Sequence, residues 1–135
     1  MRICGIELKA NNTIFTIIDT TNSTTHYMDI KEKKFSLEND EDSEDLLNYI
    51  SFIKNIIKKY DIDTIAIKKR AKKGTFAGGA VTFKMEGLIQ LNGLCKVELI
   101  SPQAISKFEK KHKIEFPSNL NKYQEQSYLT ALVCS

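Results

Sequence analysis

The sequence is short of the residues from which zinc sites and disulfide frameworks are built. It has three cysteines, Cys4, Cys95 and Cys134, with no CxxC spacing, and two isolated histidines, His26 and His112. Neither framework is indicated, and a chain of 135 residues can bury roughly two-thirds of its unfolded surface without such staples. No apolar run approaches the ~18 residues that a bilayer-spanning helix needs, and the opening MRICGIELK is not the charged-then-apolar pattern of a secretion signal. A reduced, cytoplasmic protein with no membrane partner is therefore expected, as one domain over residues 1–135. There is no G-x-x-x-x-G-K-[ST] phosphate loop, no internal repeat, no low-complexity segment and no Ser/His/Asp or Cys/His arrangement with supporting spacing. The 20 Lys and Arg against 17 Asp and Glu leave a net charge of +3, too small to identify a partner.

What is present is an ordered alternation of strand and helix patterns. Residues 2–9 alternate, with Ile3, Gly5 and Glu7 on one face and Cys4, Ile6 and Leu8 on the other. Asn11-Asn12 reads as a tight turn into the β-branched run Thr13 to Ile18, and Thr24 to Ile30 supplies a third strand, giving an antiparallel meander. Leu46, Ile50, Ile53, Ile57 and Tyr60 recur at helical spacing, with Ser43 as N-cap, Glu44 and Asp45 at the positive end and Lys58 and Lys59 at the negative end. The six acids between Glu38 and Asp45 then read as a loop and a solvated helix start. Thr64 to Ile67 is a short uninterrupted run suited to a buried fourth strand. A helix from about Gly78 to Asn92, stopped by Gly93, should present Val81, Met85 and Leu88 inward. Cys95 to Ile100 is the fifth strand, and Ser101-Pro102 should start a helix carrying Ile105 and Phe108. A last helix, capped by Ser118 or Asn119, should turn Leu120, Tyr123, Ser127 and Ala131 inward. The order points to one α/β domain with a mixed five-stranded sheet and flanking helices.

The strongest chemical feature follows the fourth strand. Five of the six residues from 68 to 73 are basic, Lys68, Lys69, Arg70, Lys72 and Lys73, and the run continues through Gly74, Gly78 and Gly79 into a helix. Backbone N–H groups at such a helix start favour an anion, cationic side chains add to the attraction, and ligand crevices in open α/β sheets lie at the carboxyl ends of strands. These residues are the candidate nucleic-acid contacts, with Phe76 placed to stack on a base or to anchor the loop. The bland alternative is a solvated loop whose glycines let the helix pack closely. Glu7 is the second feature, an acid on the first strand, with Asp19, Glu86 and Glu125 as candidate companions. A divalent-metal site needs several converging carboxylates, so Glu7 alone does not make one. Cys4 is expected in the core, and His112, within Lys110-Lys111-His112-Lys113, at a solvated helix end.

The element order, with Ile3-Cys4-Gly5-Ile6-Glu7 opening it and Leu99-Ile100-Ser101-Pro102 after the fifth strand, resembles the ribonuclease-H-like superfamily, in particular its RuvC-type resolvases. There the first strand commonly reads G-I-D and the later segment S-P followed by a helix. Ile67-Lys68-Lys69-Arg70, Gly74-Thr75-Phe76-Ala77-Gly78-Gly79-Ala80-Val81 and Lys122-Tyr123-Gln124-Glu125-Gln126 look more narrowly like a small family of uncharacterised bacterial proteins grouped with it. The resemblance implies a ribonuclease-H-like fold and a nucleic-acid partner, DNA or RNA. It also implies, for an active enzyme, Mg or Mn held by Glu7 and Glu125 as the catalytic carboxylates of a metal-dependent nuclease. The chain departs from that pattern. Lys68 stands where the resolvases carry a strand-four Glu, and a glutamine stands at the likeliest Asp position of the closing helix, with Glu125 beside it. An ammonium at a dication site replaces attraction by repulsion, so the expectation is a degraded metal site with no cofactor and Lys68 within salt-bridge reach of Glu7. The actin-like kinases share the opening topology, but Glu7 to Asn12 lacks their phosphate-hairpin glycine. A protein-binding regulatory or inhibitory module is the other alternative, using segments 38–45 and 68–73 as contacts with a partner or, in a homodimer, with a second copy.

Overall fold

The computed structural model describes residues 1–74 and 79–135. Strand β1 (Arg2–Lys9) is central and buried on both faces; β2 (Asn12–Thr21) returns antiparallel to it and β3 (Thr24–Met28) pairs outside β2. The first turn is Ala10-Asn11 rather than Asn11-Asn12, because Asn12 pairs with Lys9 and Ala10 takes the positive φ of 54°. On the other side of β1 lie β5 (Thr64–Lys68) and then β6 (Lys96–Ile100), both parallel to it. Among the described residues the sheet has six strands, not five. The additional one, β4 (Lys34–Ser36), pairs with the start of β2 through Asn12, Thr13 and Ile14. Three residues within a lysine-rich stretch are too few to show an alternation.

One face of the sheet carries Cys4, Ile6, Leu8, Phe15, Ile17, Ile65 and Ile67, and is covered by α1 (Ser43–Lys59) and α2 (Ala80–Gln90). Asp42 rather than Ser43 caps α1, its carboxylate accepting from the Glu44 amide at 3.2 Å. The buried row of α1 is Tyr49, Ile53, Ile56 and Ile57, rotated from the expected stripe so that Leu46 and Ile50 are only half-buried. Tyr49 draws that rotation, since its hydroxyl bonds to buried Thr13 beneath the sheet. On α2 Met85 is buried as expected, together with Thr82 and Ile89, while Val81 and Leu88 are half-buried.

The other face is smaller: Ile3, Ile18 and Ala66 pack against α4 (Glu125–Cys134) through Tyr128 and Ala131. Beside α4 packs α3 (Pro102–Lys111), begun as expected by Ser101, whose hydroxyl accepts from Ala104, and by Pro102; exposed His112 closes it. The closing helix starts later than its sequence pattern implies. A single 3₁₀ turn, Lys122–Gln124, precedes α4, and its cap is Asn121 rather than Ser118 or Asn119. Tyr123 is 44% exposed instead of inward, and Gln124 takes the buried place. The Gln124 amide donates to the Phe15 carbonyl at 3.0 Å and accepts from the Asn121 amide at 3.1 Å, so no polar group is stranded by its burial.

α4 lies unusually close to β1. A Cβ on Gly5 would fall 2.0 Å from the Ser127 carbonyl oxygen and 2.9 Å from the Ala131 Cβ. Only glycine admits that approach, and it brings the Ser127 and Thr16 hydroxyls into hydrogen-bond contact. Gly5→Ala is therefore expected to push helix backbone off the sheet and cost about 3 kcal/mol or more, read as a lower urea midpoint. Unchanged stability would show that α4 is not held at this contact.

Candidate functional site

Residues at matched positions of neighbouring strands share a face, and side chains alternate along each strand. Gly5 faces α4, so Glu7, two residues on, lies on the same face at the carboxyl end of β1. Ala66 is opposite Gly5 on β5, which brings Lys68 to the same face and the same level. The Lys68 Nζ stands 3.9 Å from the Glu7 Oε2, with 19% and 13% of the two side chains exposed, and donates to the Gln126 Oε1 at 2.9 Å. The expected ion pair is thus present, at the outer limit of contact and partly wet. Exposed pairs contribute ~0–1 kcal/mol and removing one partner of a buried pair costs ~3–5 kcal/mol, so about 2 kcal/mol is appropriate here.

This donor set does not fit a divalent cation. One carboxylate, one amide and a fixed ammonium face one another where a dication needs converging anionic oxygens. On α4 it is Gln126 that reaches the sheet end; Glu125, one residue earlier, is turned about 100° around the helix axis. Asp19 pairs with Arg2 at 3.3 Å at the opposite end of β1, roughly 17 Å of strand from Glu7. Glu86 belongs to α2, in the layer across the sheet. Burial pushes its carboxyl up from the usual range, while the charges of Lys69 and Lys72 and a hydrogen bond from the Arg70 backbone pull it down. It is a counter-charge to the basic segment rather than a companion of Glu7. Among the described residues no three His, Cys, Asp or Glu side chains form a group that could hold a metal ion.

The basic segment leaves β5 beside β6, with the Lys69 amide donating to the Ile100 carbonyl at 2.8 Å. Lys69, Arg70, Lys72 and Lys73 then wall a cavity of about 360 Å³ against Ser101, Pro102 and Gln103 at the start of α3. Lys69, Lys72 and Lys73 are exposed and Arg70 half-buried. Gly74 has φ +101°, a conformation that favours glycine. Gly79 caps α2, and among the described residues nothing lies within 4 Å of where its Cβ would stand. Gly78 and Phe76 lie outside the described residues.

Four residues at this end of the sheet, Lys9, Lys34, Tyr123 and Gln126, were not assigned to the site by the sequence reading. Lys9 follows Glu7 on the same face at the exposed tip of the hairpin, and Gln126 completes the Lys68 contact. Lys34 is opposite Ile14, which is opposite Glu7, so it stands in the same cross-strand row, with its ammonium 5.3 Å from the centre of the Tyr123 ring. The alternation in residues 2–9 would have found Lys9; the others depend on pairing between distant segments.

A family model described as "Protein of unknown function (DUF3010)" matches residues 1–134. Among solved structures, the Thermus thermophilus RuvC structure superposes with a TM-score of 0.77 at 8% identity, covering 98% of this chain and 92% of that one. The T. thermophilus RuvC in complex with Holliday junction substrate gives 0.71 at 8% identity, again over 98% and 92%. The Fowlpox virus resolvase in complex with substrate Holliday junction DNA gives 0.59 at 18% identity, over 98% and 95%. A search of curated proteins finds no match. The likeness establishes a ribonuclease-H-like fold of the RuvC type.

Lys68→Ala should cost about 2 kcal/mol of stability, and Glu7→Leu combined with Lys68→Met should recover most of the loss. Urea denaturation of the two single variants and the double variant measures the coupling directly. Magnesium or manganese should not raise the melting temperature of the wild type. A metal-dependent rise, or strictly additive single effects, would contradict the internal ion pair.

Proposed function

The chain belongs to the DUF3010 family, and from that premise we propose that it is a ribonuclease-H-like nucleic-acid-binding domain whose former metal position is filled by its own lysine. The observation that carries the reading is the placement of the basic segment. Lys69, Arg70, Lys72 and Lys73 leave the carboxyl end of β5 and wall a cavity against the first turn of α3, where the helix dipole also favours an anion. The structural neighbours described with Holliday junction DNA are consistent with a nucleic-acid ligand on this architecture. The Glu7 and Glu125 nuclease reading has no comparable support, because Lys68 occupies the charge position that a metal would need.

Contacts of this kind are made mainly to phosphates, so binding falls steeply with salt and carries little sequence preference. Filter binding at two or more salt concentrations, with single-stranded, duplex and branched DNA and with RNA, tests it. Lys72→Ala with Lys73→Ala should weaken binding to every ligand, lower the log–log salt slope by about 2 and leave the melting temperature nearly unchanged, since both side chains are exposed and Lys69 still faces Glu86. Failure of every ligand to bind at low salt would end the nucleic-acid reading.

A further inference from the structure

A groove outside the basic segment has the complementary chemistry for unpaired bases. It is a cavity of about 540 Å³ between β4 and α1, lined by Lys31, Lys33, Lys34 and Lys59 around Phe35, Phe52 and Tyr123, with Glu32 as the acid among them. Its aromatic wall is built rather than incidental. Phe35 and Phe52 stack at 3.9 Å between centroids with 8° between planes, and the half-exposed Tyr123 ring stands beneath the Lys34 ammonium. Its cations are of two kinds. Lys33 and Lys59 are held by Asp29 at 2.9 Å and Glu32 at 2.8 Å, whereas Lys31 and Lys34 have no carboxylate within 4 Å among the described residues.

We propose that this groove is a second nucleic-acid contact that takes a single strand, Tyr123 stacking on a base while Lys31 and Lys34 meet the flanking phosphates. Sequence-tolerant single-strand sites combine exactly these two elements, a basic groove and an aromatic face. The position supports the same conclusion. Lys34 is two strands from Glu7 in one cross-strand row, roughly 10 Å at ordinary strand spacing, so the Lys34 end of the groove lies level with the sheet end that the basic segment leaves, while its Glu32 and Lys59 end runs toward the start of β1. A duplex hides its base faces in the stack and has no use for Tyr123. An acidic peptide would satisfy the lysines but leave the ring without a role.

The inference rests on the nucleic-acid reading above, and the two can fail separately. The measurement is fluorescence anisotropy with a labelled oligothymidylate of about twenty nucleotides, long enough for one such site, and with a duplex of the same length. Tyr123→Ala should weaken oligothymidylate binding roughly tenfold, the loss of one base stack, and leave duplex binding unchanged; Tyr123→Phe should behave as wild type. Lys31→Ala with Lys34→Ala should lower the single-strand salt slope by about 1.4, at ~0.7 per phosphate contact. Lys72→Ala with Lys73→Ala should weaken both ligands. If Tyr123→Ala binds oligothymidylate as tightly as wild type while the Lys72 and Lys73 changes weaken it, the groove is refuted and the basic segment stands. If wild type binds neither ligand at low salt, both proposals fall. If polyglutamate binds in a Tyr123-independent manner and oligothymidylate does not, the groove is a peptide site and this proposal is wrong.

Discussion

The contact on which most of this arrangement depends is the approach of the α4 backbone to β1 at Gly5. A side chain there would meet the Ser127 carbonyl, so the strand must present bare backbone to the helix. Everything that α4 and its leading 3₁₀ turn contribute follows from that proximity. Gln124 reaches the Phe15 carbonyl, Gln126 reaches Lys68, and Tyr123 comes over the β2–β4 edge to meet Lys34. One missing methyl group therefore positions parts of both charged surfaces at the carboxyl end of the sheet.

The chemistry at that end is a carboxylate balanced by an ammonium of the same chain. β1 brings a carboxylate to the α4 face, and β5 delivers an ammonium to the same level. An acid there would leave Glu7 facing another negative charge in a half-buried setting and would call for a bound cation. The lysine supplies that cation covalently. With Glu7 neutralised from within, the surrounding field is set by Lys9, Lys34 and the segment from Lys69 to Lys73, which is favourable to phosphate and unfavourable to a metal.

The parts of the fold that could be read from sequence are those in which local pattern and tertiary environment agree. β1 is a strand with an apolar alternation and β2 and β5 are β-branched runs in a buried sheet, and the Ser101-Pro102 helix start is written in two adjacent residues. β4 was not readable, because a three-residue strand is specified by its pairing with β2 rather than by its own side chains. The Lys68–Glu7 pair was expected from the resemblance, which sets Lys68 where the resolvases carry a strand-four acid, whereas Gln126 and Tyr123 needed knowledge of which helix face meets which strand. Gly5 gave a usable hint, an isolated glycine within a strongly apolar strand, though it did not say which helix would fill the space.

The Lys68–Glu7 pair also constrains how this sheet end can change over generations. An acid whose charge is balanced by a bound ion can keep its neighbours while the ion is exchanged or lost. An acid balanced by a tethered ammonium cannot, since altering either residue alone leaves the other charged and poorly solvated. Positions 7 and 68 are thereby linked as a unit of inheritance: relatives should keep both charges, remove both or reverse both, and intermediates with one alone should be rare.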